Sequence, residues 1–315
     1  MITTCILGLL LLSTQSLFAQ TDSAVAVEVK APKPKPVKNT FPGAWIIDNQ
    51  TVMVPVKGTF EMDIQHRFGV LTRGYKDFWG FFAPSNIRLG VSYSVSNKLN
   101  FGLGVTKSNM LWDASAKYSL FTQTKGIYPV SLTYYGNMAY DTREDVTIYD
   151  GSAIKNESDK LSFFHQLIFA RKMSDKLSLQ IAPSISYQNA VAGYYTKNDS
   201  TGQDIFKTME NAHFAISFAG RYKLTNGTAI IFNYDQPITN HATNNPKPNL
   251  ALGFEFNTSN HSFQLFFGNY SLLNPQRNNL FNQNAPFNFT DGGTGKTSDG
   301  GQFLIGFNIT RLWNY

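Results

Sequence analysis

A set of ionisable residues recurs at even spacings, and these are the side chains that could act on a solute. Glu61, Asp63 and Arg67 lie on one stretch, Arg88 on the next, and Asp113 and Lys117 further along. Arg221, Asp235 and Glu255 follow on three successive stretches toward the C-terminus. A period of two sends alternate side chains to opposite faces of a β-strand, so each group shares a face with its neighbours. Small or neutral polar residues lie between them, among them Gly90, Ser92, Gly102, Gly104, Ser115, Ser184, Ser186 and Ser217. Acids and bases on one wet face support two kinds of chemistry. Around a water-filled constriction they select solutes by field and size. Paired across strands, they close an interior and brace it. Their near-balance in sign leans toward pairing, and both readings stay open.

Sharper chemical motifs are absent or lack their setting. Gly292-Gly293-Thr294-Gly295-Lys296-Thr297 imitates a phosphate-binding loop, but the full spacing needs glycine at Thr290 and a strand before and a helix after. It reads as an outer loop. A lipid-facing hydrolase would need a serine within reach of an oriented histidine. His165 falls on the outer face, whereas Ser162, Ser178 and Ser186 fall on the inner one. The five histidines are scattered and show no metal-ligand spacing. No catalytic residue, cofactor or metal site is therefore expected.

The elements that carry these residues are strands with one apolar and one polar face. The last is the clearest: Phe303, Ile305, Phe307, Ile309, Trp313 and Tyr315 share one side, and Gln302, Gly306, Asn308, Thr310 and Asn314 the other. Aromatics at its end suit the level of lipid headgroups. The pattern recurs upstream in segments opening near Phe60, Ile87, Leu99, Trp112, Val130, Leu161, Leu177, Phe214, Ile230, Leu250 and Phe263. Tight turns such as Ser96-Asn97-Lys98, Ser174-Asp175-Lys176, Asn226-Gly227 and Thr258-Ser259-Asn260 alternate with mostly longer connections. Short periplasmic turns, long outer loops and an even strand count are the pattern of an outer-membrane barrel. The fold class expected is all-β: a transmembrane antiparallel β-barrel of about 12 strands.

Composition agrees. Of the 315 residues, 15% are charged and 14% aromatic, a mix suited to strands half in lipid and half in water. The apolar run Ile6 to Leu12, followed by Phe18-Ala19-Gln20, resembles a signal peptide over 1–19, although no Lys or Arg precedes it and Leu17 occupies position −3. Cys5 is the only cysteine, so disulfides and cysteine-metal sites are excluded from the mature chain. Residues 20–57 form a basic Pro-rich segment expected in the periplasm, with Lys30, Lys33, Lys35 and Lys38 spaced by Pro32, Pro34 and Pro36. The net charge of +6 invites a nucleic-acid partner, which is discounted because this clear basic cluster reads as a linker. The barrel is assigned to 58–315.

Some residues resist the register. Pro183 cannot donate to its ladder, and a bulge is expected there. Arg171 and Arg311 face lipid near the periplasmic ends, where such a charge costs roughly 0–1 kcal/mol. His66 and His165 face lipid without an evident reason. The Asn-rich stretch 274–288, with Phe281 and Phe287, could fold inward as a plug or bind a ligand at the rim, and a solvated surface loop is the preferred reading. Trp45-Ile46-Ile47, within 39–56, is apolar enough to dock at a place the pattern leaves open.

The run Phe60-Glu61-Met62-Asp63-Ile64-Gln65-His66-Arg67-Phe68-Gly69 resembles the opening strand of a family of outer-membrane β-barrels of unknown function from Bacteroidetes. Asn86-Ile87-Arg88-Leu89-Gly90, Leu103-Gly104-Val105 and Tyr128-Pro129-Val130-Ser131-Leu132 resemble further elements of it. The resemblance implies a Gram-negative outer-membrane location. It also implies insertion by the barrel-assembly machinery, which would read the strand ending at Tyr315. It carries over no substrate. Taken together, these readings lead to a non-enzymatic barrel in contact with outer-membrane lipid. Its expected role is porin-like passage of small hydrophilic solutes through a charge-lined lumen. The alternative is a closed barrel serving as scaffold or as surface receptor through its long loops.

Overall fold

In the computed structural model the described residues are 34–144, 154–198, 200–290 and 297–314. The leader, Cys5, Lys30, Lys33, most of the glycine-rich stretch 292–297 and Tyr315 lie outside them. Twelve long strands form one closed antiparallel barrel. They are β3 (Thr59–Val70), β4 (Asn86–Ser94), β5 (Leu99–Thr106), β6 (Leu111–Phe121), β7 (Ser131–Asp141), β8 (Leu161–Lys172), β9 (Leu177–Gln188), β12 (Ala212–Lys223), β13 (Thr228–Pro237), β14 (Asn249–Asn257), β15 (His261–Gly268) and β18 (Leu304–Asn314). Sequence neighbours pair along the wall, and β18 closes on β3 with Trp313 opposite Phe60. Closure matters because hydrocarbon offers no partner to an unpaired backbone N–H or C=O. Each expected strand is present, and the strand number is as read from the alternation.

Six short strands among the described residues lie outside the wall: β1 (Trp45–Ile46) pairs with β2 (Asn49–Gln50), and β10 (Gly193–Lys197) with β11 (Asp204–Thr208) in the loop after β9. In the loop before β18, β16 (Phe289–Thr290) pairs with β17 (Thr297–Ser298), and a helix, α1, spans Pro275–Phe281.

The outer belt carries exposed Leu103, Trp112, Leu252, Phe254, Leu265 and Phe267, as the period of two requires. His66 stacks on Phe307 with ring centroids 5.0 Å apart, and the Tyr134 hydroxyl lies 2.6 Å from His165 Nδ1. Both outward imidazoles thus acquire aromatic neighbours. Arg311 lies over the Trp313 ring at 4.7 Å. The bulge expected at Pro183 does not form. The β8–β9 register is the same on either side of it, from Gln166↔Ser184 to Phe169↔Ile181, so the missing N–H interrupts the ladder without shifting it. Register shifts occur instead between Ser119 and Phe121 and between Leu304 and Gly306.

Two segments outside the wall turn into the lumen, the first left open by the sequence and the second against its preferred reading as a surface loop. Within the segment assigned to the periplasm, residues 40–53 turn into the barrel and are almost wholly buried. Phe41, Ile46, Ile47 and Val52 pack there against Tyr135, Phe164, Ile168, Ile231, Phe266 and Tyr270 of the wall. Apolar side chains enter because the lumen supplies this second, internal core. The preceding residues run along the rim, where Pro36 bridges to Thr124 and the Val37 N–H donates to the Gln123 carbonyl. The Asn-rich stretch is likewise no surface loop over α1. Gln276, Asn278, Asn279 and Leu280 are buried, because the lumen offers amide partners that match theirs.

Glycine sets one close approach in the wall. A Cβ on Gly104 would overlap the Arg88 guanidinium and come within 2.6 Å of Asp113 Oδ2. Strand glycines often mark such places. Gly104→Leu is therefore expected to cost about 1–3 kcal/mol by overpacking, whereas Ala114→Leu on the lipid face of β6 should be near neutral. Urea unfolding in detergent micelles checks this, and equal stability of the two variants would count against a tightly packed Arg88 site.

Candidate functional site in the lumen

Every residue singled out for the inner face points inward. Glu61, Asp63, Arg67, Arg88, Asp113, Lys117, Asp235 and Glu255 are buried, and Arg221 is nearly so. They do not form one constriction; they divide into separate groups. Arg88 on β4 bridges two acids, Asp63 on the adjacent β3 and Asp113 on β6, one strand beyond β5. Its Nη1 donates to Asp63 Oδ2 at 2.9 Å, its Nη2 to Asp113 Oδ1 at 2.8 Å and its Nε to Asp113 Oδ2 at 3.0 Å. The bidentate fork is the geometry that guanidinium and carboxylate favour. Arg221 Nε donates to Glu255 Oε1 at 2.7 Å across β12 and β14. Asp235, expected beside that pair, instead accepts from the amides of Asn49, Asn233 and Asn249.

Arg67 and Lys117 are held by the inserted segment. Arg67 is completely buried, forms an ion pair with Asp48, and donates from Nη1 to Asn308 Oδ1 at 2.9 Å. Its guanidinium also covers the Phe266 ring at 4.5 Å. Lys117 Nζ donates to the Met53 carbonyl at 3.0 Å and to the Ala44 carbonyl at 3.3 Å. Glu61 Oε2 has no hydrogen-bond partner among the described residues, and a cavity of about 20 Å³ lies between it, Lys117 and Trp45. That is room for roughly one water.

The segment itself is a hairpin whose tip, Ile47-Asp48, joins β1 to β2. Ile47 has φ +57°, a left-handed conformation that a β-branched residue adopts only under strain. Wall amides hold it there: its N–H donates to Gln264 Oε1 at 2.9 Å, and its carbonyl accepts from Asn308 Nδ2 at 2.7 Å. Asn49 next to the tip donates to Asn233 and Asp235 and accepts from Gln166. From the other mouth α1 descends: Gln276 Nε2 donates to Asn137 Oδ1 at 2.9 Å, and Asn279 Oδ1 accepts from Asn249 at 3.0 Å. The two halves of the plug meet where Asn278 Nδ2 donates to Asp48 Oδ2 at 3.3 Å. Residues of both halves are thus buried within the lumen.

Sequence reasoning placed the wall groups but missed Asp48, Asn49 and the α1 amides. A signal was present. Gln65, Asn100, Asn137, Gln166, Gln180, Asn233, Gln264 and Asn308 all take inward positions. A neutral amide in such a place is a good partner for another chain's backbone and side chains.

Comparisons with known proteins complete the description. No protein of curated function matches the chain significantly. Among solved structures, the NanC porin aligns over 81% of this chain and 99% of its own at 9% identity and a TM-score of 0.44. The KdgM porin gives the same coverage and identity with a TM-score of 0.41. An outer membrane channel from Pseudomonas putida F1 covers 82% of this chain and 97% of its own at 12% identity, TM-score 0.41. Such scores say nothing of what crosses the wall. A family model matches residues 41–313, which takes in the inserted hairpin as well as the strands. The chain belongs to the family described as "Membrane bound beta barrel domain (DUF5777)".

Proposed function

We propose that this chain is a non-enzymatic, porin-like barrel of the outer membrane that passes small hydrophilic solutes when its two-part plug leaves the lumen. One observation carries the reading: wall charges find their partners on the plug. Arg67 pairs with Asp48, and Lys117 donates to the carbonyls of Ala44 and Met53. A barrel that never opened would gain little from this, since a buried ion pair is often no more stabilising than apolar residues of the same volume. A wall that alternates between plug and water has use for groups that both can solvate. Twelve strands give a lumen between the side-chain-filled small barrels and the open large ones, so a plug of this size can govern passage.

The closed-scaffold alternative draws on the same plug, taken as permanent. The two readings part at Asp48. Removing that carboxylate leaves a fully buried Arg67 without its counter-charge, a loss of about 3–5 kcal/mol while the plug stays in place. Asp48→Ala is therefore expected to add discrete conductance steps in planar bilayers to an otherwise mostly silent protein. The double variant Asp48→Leu/Arg67→Met, which removes both charges, should restore silence. If Asp48→Ala folds, as judged by heat-modifiable gel mobility, and stays as silent as the parent, the scaffold reading prevails.

The plug halves are unequal in this account. The hairpin is bonded to strands all around the wall, whereas α1 meets chiefly one mouth. Replacing Pro275–Phe281 with a Gly-Ser linker should leave the protein closed, with brief openings at most, in the same bilayer recording. Stable full openings would transfer the gate from the hairpin to the loop.

A further inference from the structure

We infer that the inner wall is a receptor for the main chain of a peptide hairpin, filled in this structure by the protein's own residues 44–53. The inference rests on the hairpin being able to leave the lumen. What the wall grips is mostly backbone. Lys117 donates to the carbonyls of Ala44 and Met53, Gln264 Nε2 to that of Trp45 at 3.0 Å, and Asn308 to that of Ile47 at 2.7 Å. Gln180 Nε2 donates to the Gln50 carbonyl at 2.7 Å, and Thr133 Oγ1 to the Val52 carbonyl at 3.0 Å. These donors stand on β6, β7, β9, β15 and β18, so they approach the segment from several sides. Gln264 also accepts the Ile47 N–H, so its amide acts as a peptide unit of a neighbouring strand would.

These carbonyls stand on both arms of a hairpin that turns at Ile47-Asp48, so any segment able to turn in this way presents them whatever its other side chains, and main-chain hydrogen bonding is how sheets take in peptides of varied sequence. The side-chain contacts of Asp48 and Asn49 add preference for the protein's own hairpin. They also identify what a foreign occupant needs, namely one acid to meet Arg67. A foreign peptide escapes one cost that the hairpin bears, because it need not place a β-branched residue at φ +57°. The ligand class is thus a polypeptide segment of about ten residues that can turn as a hairpin and carries a carboxylate, read chiefly through its backbone.

The test uses the full chain with a specific protease site inserted between Val56 and Lys57, where the chain leaves the lumen and Lys57 is exposed. The protein is folded into a planar bilayer, cleaved and washed, and conductance is recorded. Two synthetic peptides are then added: the sequence of residues 40–56, and a shuffled version that keeps the same composition. Conductance steps that appear on washing, are silenced by the native peptide, and are silenced by the shuffled one within about a hundredfold of its half-blocking concentration support the inference. Gln264→Ala, and independently Asn308→Ala should one variant fail to fold, is expected to raise both half-blocking concentrations about tenfold. Block by the native peptide alone would show recognition through side chains and overturn the inference. Steps that no peptide silences would also overturn it, while leaving the displaceable plug intact. Absence of steps after cleavage and washing would overturn both.

Discussion

The ion pair between Arg67 and Asp48 is the contact on which the closed lumen depends. Arg67 belongs to the wall, Asp48 to the tip of the inserted hairpin, and Asn278 of α1 reaches the second oxygen of the same carboxylate. Wall, hairpin and outer loop therefore converge on one side chain. A fully buried guanidinium cannot shed its proton to escape desolvation, so it needs a partner. The family match begins at Phe41, ahead of the first wall strand, so the segment that supplies the partner belongs to the same domain as the barrel.

The barrel separates the forces that hold it in the membrane from those that hold its lumen shut. Outside, aliphatic and aromatic side chains face lipid, and the ladder is closed so that no backbone edge meets hydrocarbon. Within the wall, Arg88 with Asp63 and Asp113 ties β3, β4 and β6 together without help from the plug. Arg221 and Glu255 do the same for β12 and β14. These clusters can persist whether or not the hairpin is present. Arg67, Lys117 and Asp235 differ, since each takes partners from residues 44–53. Of the inner charges, Arg88 with its acids and Arg221 with Glu255 thus brace the wall across strands, whereas Arg67, Lys117 and Asp235 meet the inserted segment.

The fold was legible because lipid on one side and a wet interior on the other impose a period of two that local sequence cannot hide. Strand number, turn alternation and the inward set all follow from that constraint. What stayed illegible was long-range. Trp45-Ile46-Ile47 is apolar in any setting, and nothing local says that its core is the inside of a barrel built afterwards in the chain. Asn278 and Gln276 are polar residues in a long outer loop, where solvation is the ordinary fate. Only the partners, more than a hundred residues away at Asn137 and Asp48, make them internal. Pro183 failed in the opposite sense. A local rule demanded a bulge, but the neighbouring register was already fixed on both sides of the proline and held.

The hairpin tip shows how a closed state can be stable and still poised. Ile47 sits at φ +57°, a backbone conformation costing of the order of 1–3 kcal/mol that persists only where surroundings impose it. Gln264 and Asn308, on neighbouring wall strands, impose it by bonding both polar groups of the same residue. The strain is therefore confined to the bound hairpin and is released when the tip leaves. Hydrogen bonds exchanged for water bonds have a modest net value of about 0.5–1.5 kcal/mol each. These bonds and the strained residue at the tip ease withdrawal, while the packing of Phe41, Ile46, Ile47 and Val52 on the wall opposes it. On the proposed reading, Arg67 supplies the specificity that returns the hairpin to its place, and the amides around it supply a grip that water can replace.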